Sequence, residues 1–343
     1  MDLVAPEGIS SPLRSRNSRI EKWTLKSWLT WLCHYLTLVY VTVLSDLGEV
    51  FLCLGTIGFP LMYLCLAYTI NCYLIIKPVL HSLLPGVSYS QAFSKARKDV
   101  SAFFITYGQL MHEFEMEGFD NIPKRGGALI IYYHGAIPID YLLLNMHILA
   151  KKNRIVSSVI DKFLYFLPGL EILCKGFSFH TGKPKFCIDW LMKGNLLGLA
   201  PGGAREAQLS TPNYEIMWGN RIGFARVAQE AGVPIIPVFT ENIREVVVNL
   251  QFGLEWMSNL YEASRIPLVP MYGGFPVKLR SHIGTPIYPK PGQTAHELQK
   301  EVYDSIRHMI DTHQQLPGNV VRTLNERFQP SCNDKRGLVF PHG

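Results

Sequence analysis

Residues 129–140 read LIIYYHGAIPID, and this stretch contains the clearest change of pattern in the sequence. Its first five residues are apolar or aromatic, which is typical of a buried strand. His134 and Gly135 follow directly, and Gly135 permits backbone angles that other residues avoid. Pro138 suits the first turn of a helix but not its interior. The stretch therefore predicts a strand, a turn and a helix, with His134 at the end of the strand.

The same alternation continues along the chain. Strand-like runs lie at 128–133, 154–160, 195–200 and 233–239, and helical stretches lie at 139–151, 184–193 and 219–231. An amphipathic helix is expected within 89–113, one or two further strands within 270–289, and a closing amphipathic helix within 294–315. Alternation of this kind predicts an α/β fold with a mostly parallel sheet flanked by helices.

The N-terminal part of the chain is apolar enough to enter a membrane. The whole sequence is 17% charged, below the roughly 25% that is usual in globular proteins. Residues 50–76 contain no charged side chain. As a helix they would reach about 40 Å, more than the roughly 30 Å of a hydrocarbon core. Residues 28–44 are a shorter apolar segment, either a second span or a helix at the membrane surface. The fold therefore includes an N-terminal membrane-embedded helical segment.

These patterns divide the chain into five parts. We predict a basic cytosolic N-terminus at 1–27, a membrane-embedded helical hairpin at 28–77, a connecting amphipathic region at 78–125, an α/β domain at 126–320 and a loosely held tail at 321–343. Basic residues before the first apolar segment favour a cytosolic N-terminus, and a hairpin returns the chain to that side. The seven cysteines form no C-x-x-C pair and no N-x-S/T sequon occurs, as expected of a reduced, cytosol-facing domain.

The net charge and the spacing of potential metal ligands limit which binding partners are expected. The net charge of +6 is moderate and spread along the chain, without the basic runs and interleaved aromatic residues of nucleic-acid-binding proteins. A lipid bilayer or an anionic substrate is therefore the expected partner, and nucleic acid is not. No histidine or cysteine spacing typical of a metal site is visible, so no metal is expected.

His134 and Asp140 have two interpretations. A bend after the strand could fold the Asp140 carboxylate onto the imidazole, holding one ring nitrogen as a donor. The other nitrogen would then accept a proton from a hydroxyl group, and the alcohol itself would be the nucleophile. Alternatively, His134 is an ordinary turn residue, and Asp140 bonds to the backbone in the first turn of the helix.

A second stretch that could bind a ligand is LAPGGARE at 199–206, directly after a predicted strand. Its paired glycines, Gly202 and Gly203, let the backbone approach a ligand closely. Arg205 offers a planar charged group for phosphate or carboxylate. As an isolated motif the sequence PGG is more often only a turn.

Taken together, YHGAIPID at 133–140, APGGARE at 200–206 and VPIIPVFT at 233–240 resemble the glycerolipid acyltransferase superfamily. This superfamily includes the lysophosphatidate and type 2 diacylglycerol acyltransferases, and the sequence is most similar to the transmembrane protein 68 group. NIRE at 242–245 and MYGGFPVKLR at 271–280 add to the resemblance, which covers most of residues 90–320. The α/β domain at 126–320 is thereby interpreted as an acyltransferase domain.

The resemblance implies roles for individual residues. His134 and Asp140 correspond to the catalytic pair, although five residues separate them here and four separate them in most members. The substrate-binding positions implied are Gly135, Gly202, Gly203, Arg205 and Glu206, with backbone groups near Gly135 or the glycine turn stabilising an oxyanion. No match is clear for a further phosphate-contacting arginine motif of the family, which favours a neutral acceptor.

The resemblance also implies a function. We expect a membrane-bound O-acyltransferase that acylates a glycerolipid hydroxyl, most simply mono- or diacylglycerol to form triacylglycerol. The acyl donor would be acyl-CoA as a co-substrate or another acyl ester, with no prosthetic group. The expected location is the endoplasmic reticulum membrane, with the catalytic domain facing the cytosol. The alternatives are a lysophospholipid acyltransferase, a lipid hydrolase and a non-catalytic lipid-binding protein, and the oligomeric state stays open.

Overall fold

The computed structural model describes residues 59–161, 171–249 and 271–328. The predicted segment at 28–44, the beginning of the apolar run at 50–76 and the last residues of the tail lie outside these ranges. All described residues belong to one compact unit.

A seven-stranded sheet forms the centre of this unit. Its strands are β1 (Glu115–Glu117), β2 (Ala128–Tyr132), β3 (Val156–Val159), β4 (Phe179–His180), β5 (Leu196–Leu199), β6 (Ile235–Glu241) and β9 (Arg280–Ile283). They lie in the order β1-β9-β6-β2-β5-β3-β4, and every neighbouring pair is parallel except β6 with β9. Two short strands, β7 (Val247–Asn249) and β8 (Met271–Gly273), form a separate antiparallel pair. The predicted mostly parallel sheet is confirmed.

Ten helices accompany the strands in the described residues. They are α1 (Phe59–Ser82), α2 (Tyr89–His112), α3 (Ile139–Lys152), α4 (Glu171–Gly176), α5 (Pro184–Met192), α6 (Gly203–Leu209), α7 (Gly223–Ala231), α8 (Ile243–Val246), α9 (Ala295–His313) and α10 (Val320–Phe328). A capping box begins α2 at Ser88, and another begins α9 at Thr294. Buried apolar residues on both sides of β2, β5 and β6 form the core against these helices.

The helix α1 extends further than the apolar run predicted. The sequence suggested an end at Lys77, but the helix continues through Pro78 to Ser82. Lys77 is accommodated because its ammonium nitrogen lies 2.5 Å from the Asp99 carboxylate of α2 and also contacts the Tyr73 hydroxyl. Residues Leu64–Ser82 are long and apolar enough to cross a membrane, and only 17% of that window is buried within the protein.

The beginning of the predicted tail is ordered into helix α10 rather than loosely held. Arg327 donates hydrogen bonds to the backbone carbonyls of Leu110, Met111 and Pro276. These bonds fasten α10 to the end of α2 and to the segment before β9. The polar composition did not reveal this anchor because the acceptors are backbone groups distant in sequence.

Candidate active site

Three predicted motifs converge at one edge of the sheet. β2 pairs with β5 on one side and with β6 on the other, and all three run parallel. His134 therefore lies beside the turn that follows β5 and beside Thr240, the residue before the end of β6. Ligands of open parallel sheets bind at the carboxyl ends of the strands, so this edge is the candidate active site.

His134 has one ring nitrogen bonded and the other available. Its Nδ1 lies 2.6 Å from the backbone carbonyl oxygen of Gly135. A carbonyl only accepts, so Nδ1 carries the proton and Nε2 keeps its lone pair. Within the described chain no residue hydrogen-bonds to Nε2, and the Tyr132 ring lies 5.9 Å away between ring centroids. The imidazole is thus held in the tautomer that a general base at Nε2 requires.

Gly135 is required by close packing. A Cβ atom added there would lie 2.6 Å from Cγ1 of Ile243 at the beginning of α8. Any side chain would push the turn away from α8 and move the carbonyl that orients His134. The substrate-binding role implied for Gly135 stays a prediction, and the structure adds an orienting role for its carbonyl.

The expected hydrogen bond between Asp140 and His134 is absent from the structure. Asp140 lies in the first turn of α3 and is almost fully buried, and its Oδ1 has no hydrogen-bond partner. The position of α3 is fixed by Tyr141, which stacks on Tyr132 at 3.9 Å and whose hydroxyl lies 2.9 Å from the Ser158 hydroxyl. The bend predicted after β2 occurs, but it makes Gly135 rather than Asp140 the orienting partner of His134.

Glu206 supports the histidine turn from the other side. Its carboxylate accepts one hydrogen bond from the His134 backbone amide and one from the Met217 backbone amide, each at 3.0 Å. The side chain is completely buried, and both carboxylate oxygens are hydrogen-bonded within the protein. The substrate-binding role that the resemblance implied for Glu206 stays a prediction, and the structure adds a positioning role for its carboxylate.

Gly202 makes room for this carboxylate. A Cβ at Gly202 would lie 2.4 Å from Cβ and 2.5 Å from Cδ of Glu206. Gly203 adopts a φ of +52°, in the region that favours glycine. The glycine pair therefore allows a helix-borne carboxylate to pack against its own turn, a requirement that the sequence PGG alone did not disclose.

Two arginines near this turn differ in their surroundings. The guanidinium of Arg221 donates to the backbone carbonyls of Pro201 and Gly202 at 2.7 and 2.8 Å, and so fixes the turn. Arg205 is exposed, and no described residue forms an ion pair or hydrogen bond with it. Arg205 is therefore the cation with free donors, and Arg221 is a structural residue that sequence reasoning missed.

A buried polar network lies behind Glu206. The Arg244 guanidinium reaches the backbone carbonyls of Glu206 and Ser210 and the Tyr133 hydroxyl, and the Tyr133 hydroxyl lies 2.5 Å from that of Ser210. The Tyr214 hydroxyl donates to the Glu245 carboxylate. Arg244 and Glu245 belong to the NIRE stretch, which the sequence marked only through the family resemblance.

Burial shifts the pKa values of the three ionisable groups at the site. It lowers the pKa of His134 to about 4, so the imidazole is neutral at pH 7. It raises the pKa of Asp140 to about 6, with the Thr240 hydroxyl opposing the rise. It raises the pKa of Glu206 to about 7, opposed by the backbone amides of Met217 and His134. A neutral base beside an ionisable carboxyl group is suited to proton transfer.

Comparison with known proteins agrees with this arrangement. The family model described as Acyltransferase matches residues 113–241, which include the histidine turn and the glycine turn. A Bos taurus protein named "DGAT1/2-independent enzyme synthesizing storage lipids" is 45% identical over 234 residues, covering 68% of this chain and 70% of that protein. The chain belongs to this acyltransferase family.

Further similar proteins were found. A Homo sapiens protein with the same name is 45% identical over 233 residues, covering 68% of this chain and 72% of that protein. The solved structure of the LPA acyltransferase PlsC from Thermotoga maritima is similar at a TM-score of 0.46 and 17% identity, covering 73% of this chain and 97% of that one. The predicted glycerolipid acyltransferase resemblance is confirmed by the family match, and the chain is an enzyme of the acyltransferase class.

Proposed function

We propose that this acyltransferase transfers a fatty acyl group to the hydroxyl of mono- or diacylglycerol and forms triacylglycerol. The observation that carries the proposal is the neutral His134 imidazole with Nδ1 bonded to Gly135 and Nε2 unbonded at the carboxyl edge of the sheet. The names of the curated relatives, which describe storage-lipid synthesis, support a neutral glycerolipid as product.

The reaction requires one proton to move twice. Nε2 of His134 takes the proton of the acceptor hydroxyl while the oxygen attacks the carbonyl carbon of the acyl donor. When the donor is acyl-CoA, the tetrahedral intermediate collapses with breakage of the C–S bond, and the imidazolium returns the proton to the leaving sulfur. Backbone donors near Gly135 and the glycine turn stabilise the intermediate oxyanion.

Asp140 is proposed to stabilise the imidazolium. It is ionised above a pKa of about 6, and its Oδ1 is unbonded, so it has both the charge and the hydrogen-bonding capacity. A buried imidazolium without a nearby anion is costly, because burial already disfavours the charged form of His134.

The substrates are proposed to enter from different sides. The acceptor diffuses from the bilayer that α1 enters, since Leu64–Ser82 has the length and apolar character of a span. An anionic group of the donor binds at Arg205, which is exposed beside the glycine turn. The endoplasmic reticulum is the proposed membrane, with the α/β domain on the cytosolic side where acyl-CoA is present.

The test compares three versions of the full chain in cells that lack other triacylglycerol-forming enzymes. Wild-type protein should raise triacylglycerol, whereas His134→Ala should lower the rate by ~10²–10⁴-fold. His308→Ala is the matched control, because His308 is exposed on α9, and it should behave as wild type. Membranes supplied with labelled diacylglycerol and acyl-CoA should form labelled triacylglycerol. Release of free fatty acid instead would indicate a hydrolase, and full activity of His134→Ala would refute the mechanism.

A further inference from the structure

A second cluster of titratable side chains lies outside the candidate active site. Glu241 ends β6, His282 lies on β9 and His313 is the last residue of α9. One ligand atom of each residue lies within 4.8 Å of the others. These residues come from three separate elements, and the acyl-transfer mechanism uses none of them.

His282 lies between two carboxylate groups. Its Nε2 lies 2.5 Å from Oε1 of Glu241, and its Nδ1 lies 3.1 Å from Oε2 of Glu117 on β1. A neutral imidazole has a single N–H and can donate to only one of these two carboxylates. The other ring nitrogen then directs its lone pair towards an anion, unless a positive charge lies between them.

His313 adds a third potential ligand beside His282. The two imidazole rings are stacked with centroids 3.7 Å apart and planes 15° apart. His313 is exposed and forms no hydrogen bond or ion pair with any residue that the structure describes. A shared metal ion would be bound by one ring nitrogen of each residue.

We propose that Glu241, His282 and His313 bind a divalent transition-metal ion, with Zn²⁺ as the best-matched ion. Two imidazole nitrogens and one carboxylate oxygen are ligands that Zn²⁺ prefers, and a fourth position stays open to water. Glu117 accepts the Nδ1 proton of His282, which fixes the tautomer with Nε2 towards the metal. Metal-binding histidines commonly have such a carboxylate partner.

The charges around the cluster favour a cation as well. Glu115, Glu117 and Glu241 lie near two basic residues, Lys278 and Arg280. Carboxylates therefore outnumber cationic groups before any metal binds. The Arg280 guanidinium is 4.0 Å from Glu241, at the outer limit of an ion pair. The ion would fasten the β1-β9-β6 edge of the sheet to the last turn of α9.

The experiment uses the purified full chain in detergent after treatment with a chelator. Zn²⁺ is titrated in competition with a chromophoric chelator, and Co²⁺ is used to report the ligand geometry by its visible absorption. Wild type should bind one more ion per chain than His313→Ala, or bind it at least tenfold more tightly. The Co²⁺ absorption bands should weaken in the same variant. His313 is suited to substitution because it is exposed, so the fold should survive.

His308→Ala on the same helix is the matched control and should bind as wild type does. Glu117→Gln should weaken binding about 10–100-fold without removing the site, as expected of a residue that orients a ligand. Zn²⁺ should raise the Tm of wild type and of His308→Ala but not that of His313→Ala. Equal Zn²⁺ affinity and stoichiometry for wild type and His313→Ala would overturn the proposal, as would the absence of saturable binding. Neither result depends on acyl transfer.

Discussion

Asp140 and Glu206 are both buried carboxyl groups in the first turn of a helix at the same edge of the sheet, but their hydrogen bonding differs. Each carboxylate oxygen of Glu206 accepts a hydrogen bond from a backbone amide, one from His134 and the other from Met217. Oδ1 of Asp140 accepts no hydrogen bond. A buried carboxylate with both oxygens bonded holds structure, whereas one with an unbonded oxygen retains capacity for a bond that forms during the reaction. The comparison supports a positioning role for Glu206 and is consistent with the catalytic role proposed for Asp140.

Among the substitutions that test this comparison, Asp140→Asn should have the largest effect. The amide keeps the shape of the side chain but cannot supply the negative charge that stabilises the imidazolium. The rate constant kcat should fall by ~10²-fold or more, within the range of a lost proton-transfer partner, while the Tm changes little. Steady-state kinetics and thermal unfolding of the same preparation test this prediction. A large loss of Tm with unchanged kcat would reverse the roles assigned to Asp140 and Glu206.

The pH dependence of kcat should also identify Asp140 as the group that stabilises the imidazolium. His134 has a pKa of about 4 and stays neutral above pH 5, so it does not limit the rate there. Asp140 has a pKa of about 6 and loses its charge below that pH, so wild-type kcat should fall as the pH drops from 7 to 5. The residual activity of Asp140→Asn should lack this decrease. A decrease that is unchanged in the variant would assign it to another group.

Gly202→Ala tests the turn that holds Glu206. The new Cβ would overlap Cβ and Cδ of Glu206, so the carboxylate must leave the His134 amide. Overpacking of this kind costs ~1–3 kcal/mol, and we expect activity to fall about tenfold with it. Gly223→Ala is the matched control, because nothing lies within 4 Å of a Cβ at that position. Equal effects of the two variants on Tm would contradict the proposed packing.

Glu206→Gln should mainly reduce stability. A glutamine offers one acceptor oxygen in place of two, so either the His134 or the Met217 amide loses its partner, which costs about 1–3 kcal/mol. Burial raises the pKa of Glu206 to about 7, so its ionisation destabilises the fold as the pH rises through 7. The Tm deficit of the variant should therefore be larger at pH 5 than at pH 8. A deficit that grows with pH would contradict this sign.

The smallest effects are expected from substitution of Arg221 and Arg205, and they should differ in kind. Arg221→Gln removes donors from the Pro201 and Gly202 carbonyls, and we expect a loss of ~1 kcal/mol in the free energy of unfolding. Arg205→Gln should leave the Tm unchanged and raise the KM for acyl-CoA, since Arg205 is exposed and has no described partner. Measurement of Tm and KM on both variants checks the distinction. A raised KM in Arg221→Gln alone would exchange their roles.

Much of the fold was predictable because it rests on local pattern. The apolar runs around β2, β5 and β6 are short and bounded by turn residues, which favours strands over helices, and α9 shows its period over five turns. β1 and β4 were missed because strands of three and two residues carry no period. The predicted helix at 219–231 begins only at Gly223, after a loop that brings Arg221 to the glycine turn.

The sequence by itself determined the α/β order, the apolar N-terminal helix and the motifs that carry the acyltransferase resemblance, because each depends on residues adjacent in the chain. Only the tertiary structure decided which groups meet. In the structure the ring of His134 is hydrogen-bonded to the Gly135 carbonyl and not to Asp140. The Glu206 carboxylate accepts a hydrogen bond from a backbone amide, and the ring of His282 stacks on that of His313. Such contacts depend on strand register and helix packing, and a short polar motif has the same local pattern whichever distant partner it meets.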